Sequence, residues 1–307
     1  MTHRRAVTGA VLVSASACVM AWALAYPAAS LAPALARAVA DGAAVLTLGL
    51  AAVPALDTGR RREEFIRRAT APLVTASAVW LIAELVRLVL AGAETAGTSV
   101  TGLGIPTAVE FALHTPPGRA GLISLTTAAA VCVLATVAAR SGTARVVAVG
   151  LTGVGIVGHP LTGHLSNSPW GGASITVHAL AAALWCGVLA ALVLTVEHRG
   201  QWARVLPRFS QLSLLCVSVL LAAGVLGASV VISSPSDLYA TGYGRVLSAK
   251  LLLTAALMVL AWRNRGNWLP AARAHRTTAV VSRSRAYSEL ALMAVVLAAA
   301  ATLAVTA

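Results

Sequence analysis

What most constrains this chain is the recurrence of apolar runs close to 20 residues long, separated by short polar breaks. A bilayer core about 30 Å thick takes roughly 20 consecutive apolar residues per helix, and only helices or closed barrels leave no backbone group unpaired inside it. The runs lie at about 6–26, 34–56, 70–92, 118–139, 145–163, 173–195, 209–232, 243–262 and 287–306. They predict an all-α polytopic membrane helical bundle with about nine transmembrane helices. Composition points the same way: of 307 residues, 58% are hydrophobic and 11% charged, with a mean hydropathy of +0.83. Little chain remains for a soluble domain. The first run, after "MTHRR", is long for a signal-peptide core and is taken as an uncleaved helix.

A net charge of +13 would suit a nucleic-acid binder, but the position of the arginines argues otherwise. All but one of the 23 basic residues are arginine, and most fall in the breaks between runs. Cytoplasmic loops of membrane proteins are enriched in Lys and Arg. "THRR", "DTGRRREEFIRRA", "RSGTAR", "EHRGQWARVLPR" and "RNRGNWLPAARAHRTTAVVSRSR" therefore lie inside. The alternate segments, 27–33, 93–117, 164–172 and "SSPSDLYATGY", contain no Lys or Arg. This puts the N terminus in the cytoplasm and, after nine spans, the C terminus outside. The partner this charge pattern serves is the lipid bilayer, not a nucleic acid. Cys18, Cys132, Cys186 and Cys216 are scattered singly through apolar runs and read as packing residues rather than as a disulfide framework.

Polar side chains inside the runs carry the functional information, because a charge at the bilayer centre costs on the order of 2.5–3.5 kcal/mol. With the topology above, Asp41, Glu84, Arg87, His178 and Lys250 all fall in the outer half of the membrane, and His159 and His164 close the outer end of the fifth span. The inner half holds only Glu289, expected at the inner edge of the last span. Each of these also has a structural reading. Glu84 and Arg87 are spaced i, i+3 and can neutralise each other, and Asp41 and Lys250 are of opposite charge. His114, in "FALHTPPG", is an external loop histidine and a candidate ligand where a cation would arrive.

The densest feature is "GHPLTGHLSNSPWGGASITVHALAAALW", residues 158–185, with His159, His164 and His178 on one predicted hairpin. On an uninterrupted helix His159 and His164 would stand about 140° apart. Pro160 disfavours helical geometry at His159, and Gly158 and Gly163 permit bending, so the two rings are expected to converge at the depth of His178. Imidazole suits copper, zinc, iron and nickel, and the spacing does not choose among them. Hydrogen bonding between helices is the plainer use of such histidines.

From about residue 150 onward the chain resembles the copper resistance protein D (CopD) family of bacterial inner-membrane proteins. The matching pieces are "TGH" at 162–164, "HALAAALWCGVLAAL" at 178–192, "RFSQLSLLCVSVLLAAGVLGA" at 208–228, "SDLYATGYGRVLSAKLLL" at 236–253 and "AWRNR" at 261–265. Residues 1–150, about four spans, share only hydropathy and helix layout with the family, and 151–307 form a CopD-like region of about five spans; the two are expected to make one integrated membrane domain. The resemblance implies copper handling at the bacterial cytoplasmic membrane, with uptake from the outer face, often beside a periplasmic CopC-like copper-binding partner. It places His164 and His178 on the family's histidine positions, and Tyr243, Arg245 and Lys250 on its "T-YGR-L--K" element. His159 joins them from its position alone.

The expectation is therefore a non-enzymatic copper permease or delivery protein, with His159, His164 and His178 as metal ligands. Asp41 and Glu84 would offset cation charge, oriented by Arg87 and Lys250. Two alternatives stand beside it: a membrane electron-transfer protein holding one outer-side haem between two histidines, and a non-transporting scaffold for oxidase copper-site assembly. No phosphate-binding loop is present to couple transport to ATP.

Overall fold

The computed structural model describes residues 16–23, 31–138, 140–162, 169–231, 239 and 241–306. Within them the chain is helical: α1 (16–23), α2 (Leu31–Ala52), α3 (Gly59–Thr95), α4 (Ile105–His114), α5 (Pro116–Val137), α6 (Gly142–Gly158), α7 (Pro169–Thr195), α8 (Arg199–Val231), α9 (Gly242–Arg263), α10 (Leu269–Arg273) and α11 (Ala279–Thr306). Short 3-10 turns occupy Val53–Leu56, Val100–Gly102 and Pro160–Thr162, and a π turn occupies Asn264–Trp268. No strand occurs among the described residues. Among the described residues seven segments are long and apolar enough to cross a bilayer, and α6, at 17 residues, is a shorter apolar helix. The first expected span lies mostly outside the described residues. The chain is an all-α polytopic membrane protein.

Several boundaries differ from those expected. The arginine-rich "GRRREEFIRRA" is not a loop but the first turns of α3, a 37-residue helix. Its Phe65, Ile66 and Ala69 are buried on one face, and Glu64 and Arg68 pair at 2.6 Å on the other. Helical periodicity and an i, i+4 pair override the polarity. "RGQWARVLPRF" likewise opens α8, and "AVVSRSRA" opens α11, so the helix that carries the last apolar run begins at Ala279, before the run expected from 287. The 93–117 segment, expected outside, contains α4, whose Phe111 packs against Gly92 and the start of α5. Thr115, Ser141 and Thr241 cap α5, α6 and α9 by accepting from backbone N–H groups three residues on.

The described helices group into two units interleaved along the sequence. One comprises Val39–Val188 and Cys216–Val231. One of its core clusters gathers the alanines Ala40, Ala43, Ala44, Ala83 and Ala128 around Trp80, with Leu81 and Ile156 against them. Small residues let membrane helices approach closely enough for dispersion to hold them. Gly49 and Gly187 mark the tightest approach, α2 on α7, where a Cβ on either would fall on the other helix's backbone. Arg145, buried near the start of α6, donates to the Leu50 carbonyl at 3.1 Å, the Ile66 carbonyl at 2.8 Å and Thr70 Oγ1 at 3.0 Å. An arginine that reads as a topology signal thus ties three segments together.

The other unit comprises the described parts of Met1–Ala38, Leu189–Leu215 and Ile232–Ala307. Val246 of α9 packs on Ala299 and Leu303 of α11, and Ala17 and Cys18 of α1 pack on Ala298. Near the π turn, Trp202 and Trp268 stack at 5.6 Å between centroids, and Trp268 donates to Ser282 at 3.1 Å.

Candidate functional site

In the first unit, four of the sequence-selected residues form one chain of charge. Glu84 of α3 is 1% exposed, and His159, at the end of α6, donates from Nε2 to its Oε1 at 2.7 Å. Arg87, one turn along α3, lies 3.0 Å from the same oxygen and 3.6 Å from Oδ1 of Asp41 on α2. Ser124 of α5 is buried beside the Glu84 carboxylate. The expected Glu84–Arg87 pair is present, and Asp41 joins it through Arg87.

Packing one turn away sets this register. A Cβ on Gly155 of α6 would lie 2.6 Å from both the Trp80 ring and Thr127 Oγ1, so the indole of α3 occupies the space that glycine leaves. Glu84 follows Trp80 by four residues and His159 follows Gly155 by four, which stacks the polar contact directly on the apolar one. The backbone of His159 stays helical, at φ −71° and ψ −45°, contrary to the expectation from Pro160. The bias against helical geometry before proline is overcome at this helix end, where the ring is held by Glu84, and Pro160 opens the following 3-10 turn instead.

His178 is held differently. Its Nδ1 lies 3.0 Å from the Leu220 carbonyl of α8, and since a carbonyl only accepts, Nδ1 carries the proton. One turn earlier Ser174 donates to the Ala223 carbonyl at 2.5 Å. Gly224 and Gly227 make room for both, since a Cβ on them would come within 3.3 Å of His178 Nδ1 and of Ser174 Oγ. Trp185, seven residues on, is buried as expected.

The structure thus directs His159 to α3 and His178 to α8. His164 lies outside the described residues, so the expected convergence with His159 falls there too. Among the described residues no three His, Cys, Asp or Glu side chains gather into a metal-holding group. His114 is exposed and pairs with Glu110 at 3.2 Å. Lys250 has no ion-pair partner among the described residues, Arg245 begins α9 at the Thr241 cap, and the side chain of Tyr243 lies outside the described residues.

The sequence reading missed a second polar cluster, in the other unit. Asn264 Nδ2 donates to Oε2 of Glu289 at 2.9 Å, and Arg265 donates to the Ser210 carbonyl at 2.8 Å and to its Oγ at 2.6 Å. Glu289 is 3% exposed and ten residues from the start of α11. The signal available in the sequence was an asparagine amid arginines in "AWRNRGNW", which polarity alone assigned to a loop.

The pattern described as copper resistance protein D matches residues 203–303, and that of the copper resistance protein D-like N-terminal domain matches residues 28–173. The first 150 residues, which had shared only hydropathy and layout with the family, are thereby matched from residue 28. Comparison with curated proteins and with solved structures gives no match.

Proposed function

Because the chain belongs to the copper resistance protein D family, a membrane family of copper handling, we propose that it takes up or delivers copper from the outer face of the bacterial cytoplasmic membrane. The ion is cargo, received at a histidine site drawn from His159, His164 and His178. The observation that carries this reading is the bond from His178 Nδ1 to the Leu220 carbonyl. A ring whose Nδ1–H is committed to a carbonyl has its lone pair on Nε2, the state in which imidazole binds a metal, and such a partner also fixes ring orientation. For His159 the roles of the nitrogens reverse. Its Nε2 donates to Glu84, so Nδ1 carries the lone pair in the neutral ring, and a carboxylate partner raises its basicity. Asp41 and Glu84 supply negative charge to offset the cation, with Arg87 holding both carboxylates in place. A soluble CopC-like copper-binding protein is the donor this reading implies.

The test is copper accumulation by cells carrying the His164→Ala, His178→Ala double variant. Loss of accumulation at unchanged protein level supports the reading, and unchanged uptake sinks it. Metal analysis of purified wild type and His178→Ala provides the second arm, with less copper retained by the variant. A Soret band in the purified protein would replace copper by haem.

A further inference from the structure

The buried carboxylate of the second unit has an environment that the copper reading does not use. We propose that Glu289, held by Asn264 at the π turn, is a proton-binding site, its carboxyl carried as the neutral acid at neutral pH.

The argument rests on what surrounds it. Glu289 is almost fully buried on α11, and its side-chain partner is a neutral amide, Asn264 Nδ2 at 2.9 Å. Arginines are plentiful in the same elements, and three of them are bonded elsewhere. Arg265, next in sequence to Asn264, bonds Ser210 of α8. Arg283, six residues before Glu289 on its own helix, donates to the Val196 carbonyl at 2.6 Å. Arg204 of α8 donates to the Gly200 carbonyl at 3.0 Å, and Arg208 and Arg263 are exposed. The other titratable and charged groups of these elements are Arg285 and Tyr287 on α11, Arg245 and Lys250 on α9, Arg199 and Cys216 on α8, Arg273 on α10 and Cys18 on α1. Among the described residues none of these forms an ion pair with Glu289.

An ionised carboxylate buried in a membrane helix without a cation is costly, and one amide hydrogen bond offsets only part of that cost. Taking up a proton removes the charge and leaves the amide bond in place. The π turn adds a reason for the arrangement. Its i→i+5 bonding widens the helix by one residue, so that Asn264 reaches α11 while Arg265 reaches α8. Such turns concentrate at functional sites in helices. The consequence for transport rests on the copper reading above: a chain without a nucleotide-binding motif needs a coupling ion to move its cargo uphill, and Glu289 binds one.

Infrared spectroscopy of the full-length protein in lipid tests the site directly. The wild type at neutral pH is expected to show a carboxylic-acid C=O band that is missing in Glu289→Gln. Asn264→Leu, which keeps the acid and removes its partner, is expected to retain that band at a shifted frequency. An acid band identical in wild type and Glu289→Gln, or one that Asn264→Leu leaves unmoved, overturns the proposal. For coupling, copper is added to proteoliposomes loaded with a pH-sensitive dye. A copper-driven pH change that disappears in Glu289→Gln supports it. Copper uptake with no pH change in the wild type overturns the coupling and leaves the copper reading standing. No copper uptake by the wild type removes that reading and the coupling together, with the infrared band still deciding the proton site.

Discussion

Glu84 and Glu289 are the two most deeply buried acidic residues described, 1% and 3% exposed, and the protein treats them in opposite ways. Glu84 is met by a histidine and an arginine, with a second carboxylate behind the arginine. Glu289 is met by an amide, although arginines lie before and after Asn264 in the sequence. The same side chain at the same burial therefore serves two ends. Where cations are fixed around it, a carboxylate is a permanent charge that orients its neighbours. Where the partner is neutral, it is free to change its own protonation.

The largest expected effect breaks the first of these arrangements. Glu84→Ala leaves Arg87 and His159 buried without their carboxylate, a loss of about 3–5 kcal/mol, visible as a collapse of the thermal midpoint in detergent. Gly155→Ala attacks the same contact from below. The added methyl meets Trp80 and should cost about 1–3 kcal/mol as overpacking, and a double-mutant cycle with Glu84→Gln should show non-additivity, since the two positions share one helix contact. Asp41→Asn removes the most exposed charge of the four, which is 34% exposed and 3.6 Å from Arg87. The expected cost is about 0.5–1 kcal/mol, shrinking as salt is added. Glu289→Gln should change unfolding stability least, by less than about 0.5 kcal/mol, because an amide replaces an acid that is already neutral and keeps the bond to Asn264. Equal losses from Glu84→Ala and Glu289→Gln would erase the contrast.

Much of the first site could be read without coordinates. Hydropathy located the spans, and the i, i+3 spacing of Glu84 and Arg87 is a local property of one helix. The partner of Glu84 could not be read. His159 is 75 residues away, and what brings it there is the absence of a Cβ at Gly155, visible only once Trp80 is seen to fill the gap. Arg145 was concealed by its own company: amid arginines expected on the cytoplasmic side it looks like a topology signal, yet it is 5% exposed and bonded to two carbonyls and a threonine. The start of α11 was misplaced because a hydropathy window starts a span where polarity ends, whereas the helix begins eight residues earlier than the expected 287, in "AVVSRSRA".

The π turn at Asn264–Trp268 also makes this part of the chain sensitive to length in an unusual way. A π turn is an α-helix carrying one surplus residue, and Gly266 at its centre is exposed with no atom near the place a Cβ would take. Deleting Gly266 would let the backbone close into ordinary helix with its hydrogen bonds intact. Everything before the deletion would then turn by about 100° against everything after it. Asn264 and Trp268 could no longer both face α11. A single-residue deletion that leaves hydropathy, charge and helix content unchanged would thus set the Asn264–Glu289 contact against the Trp268–Ser282 contact, so that one holds only at the expense of the other.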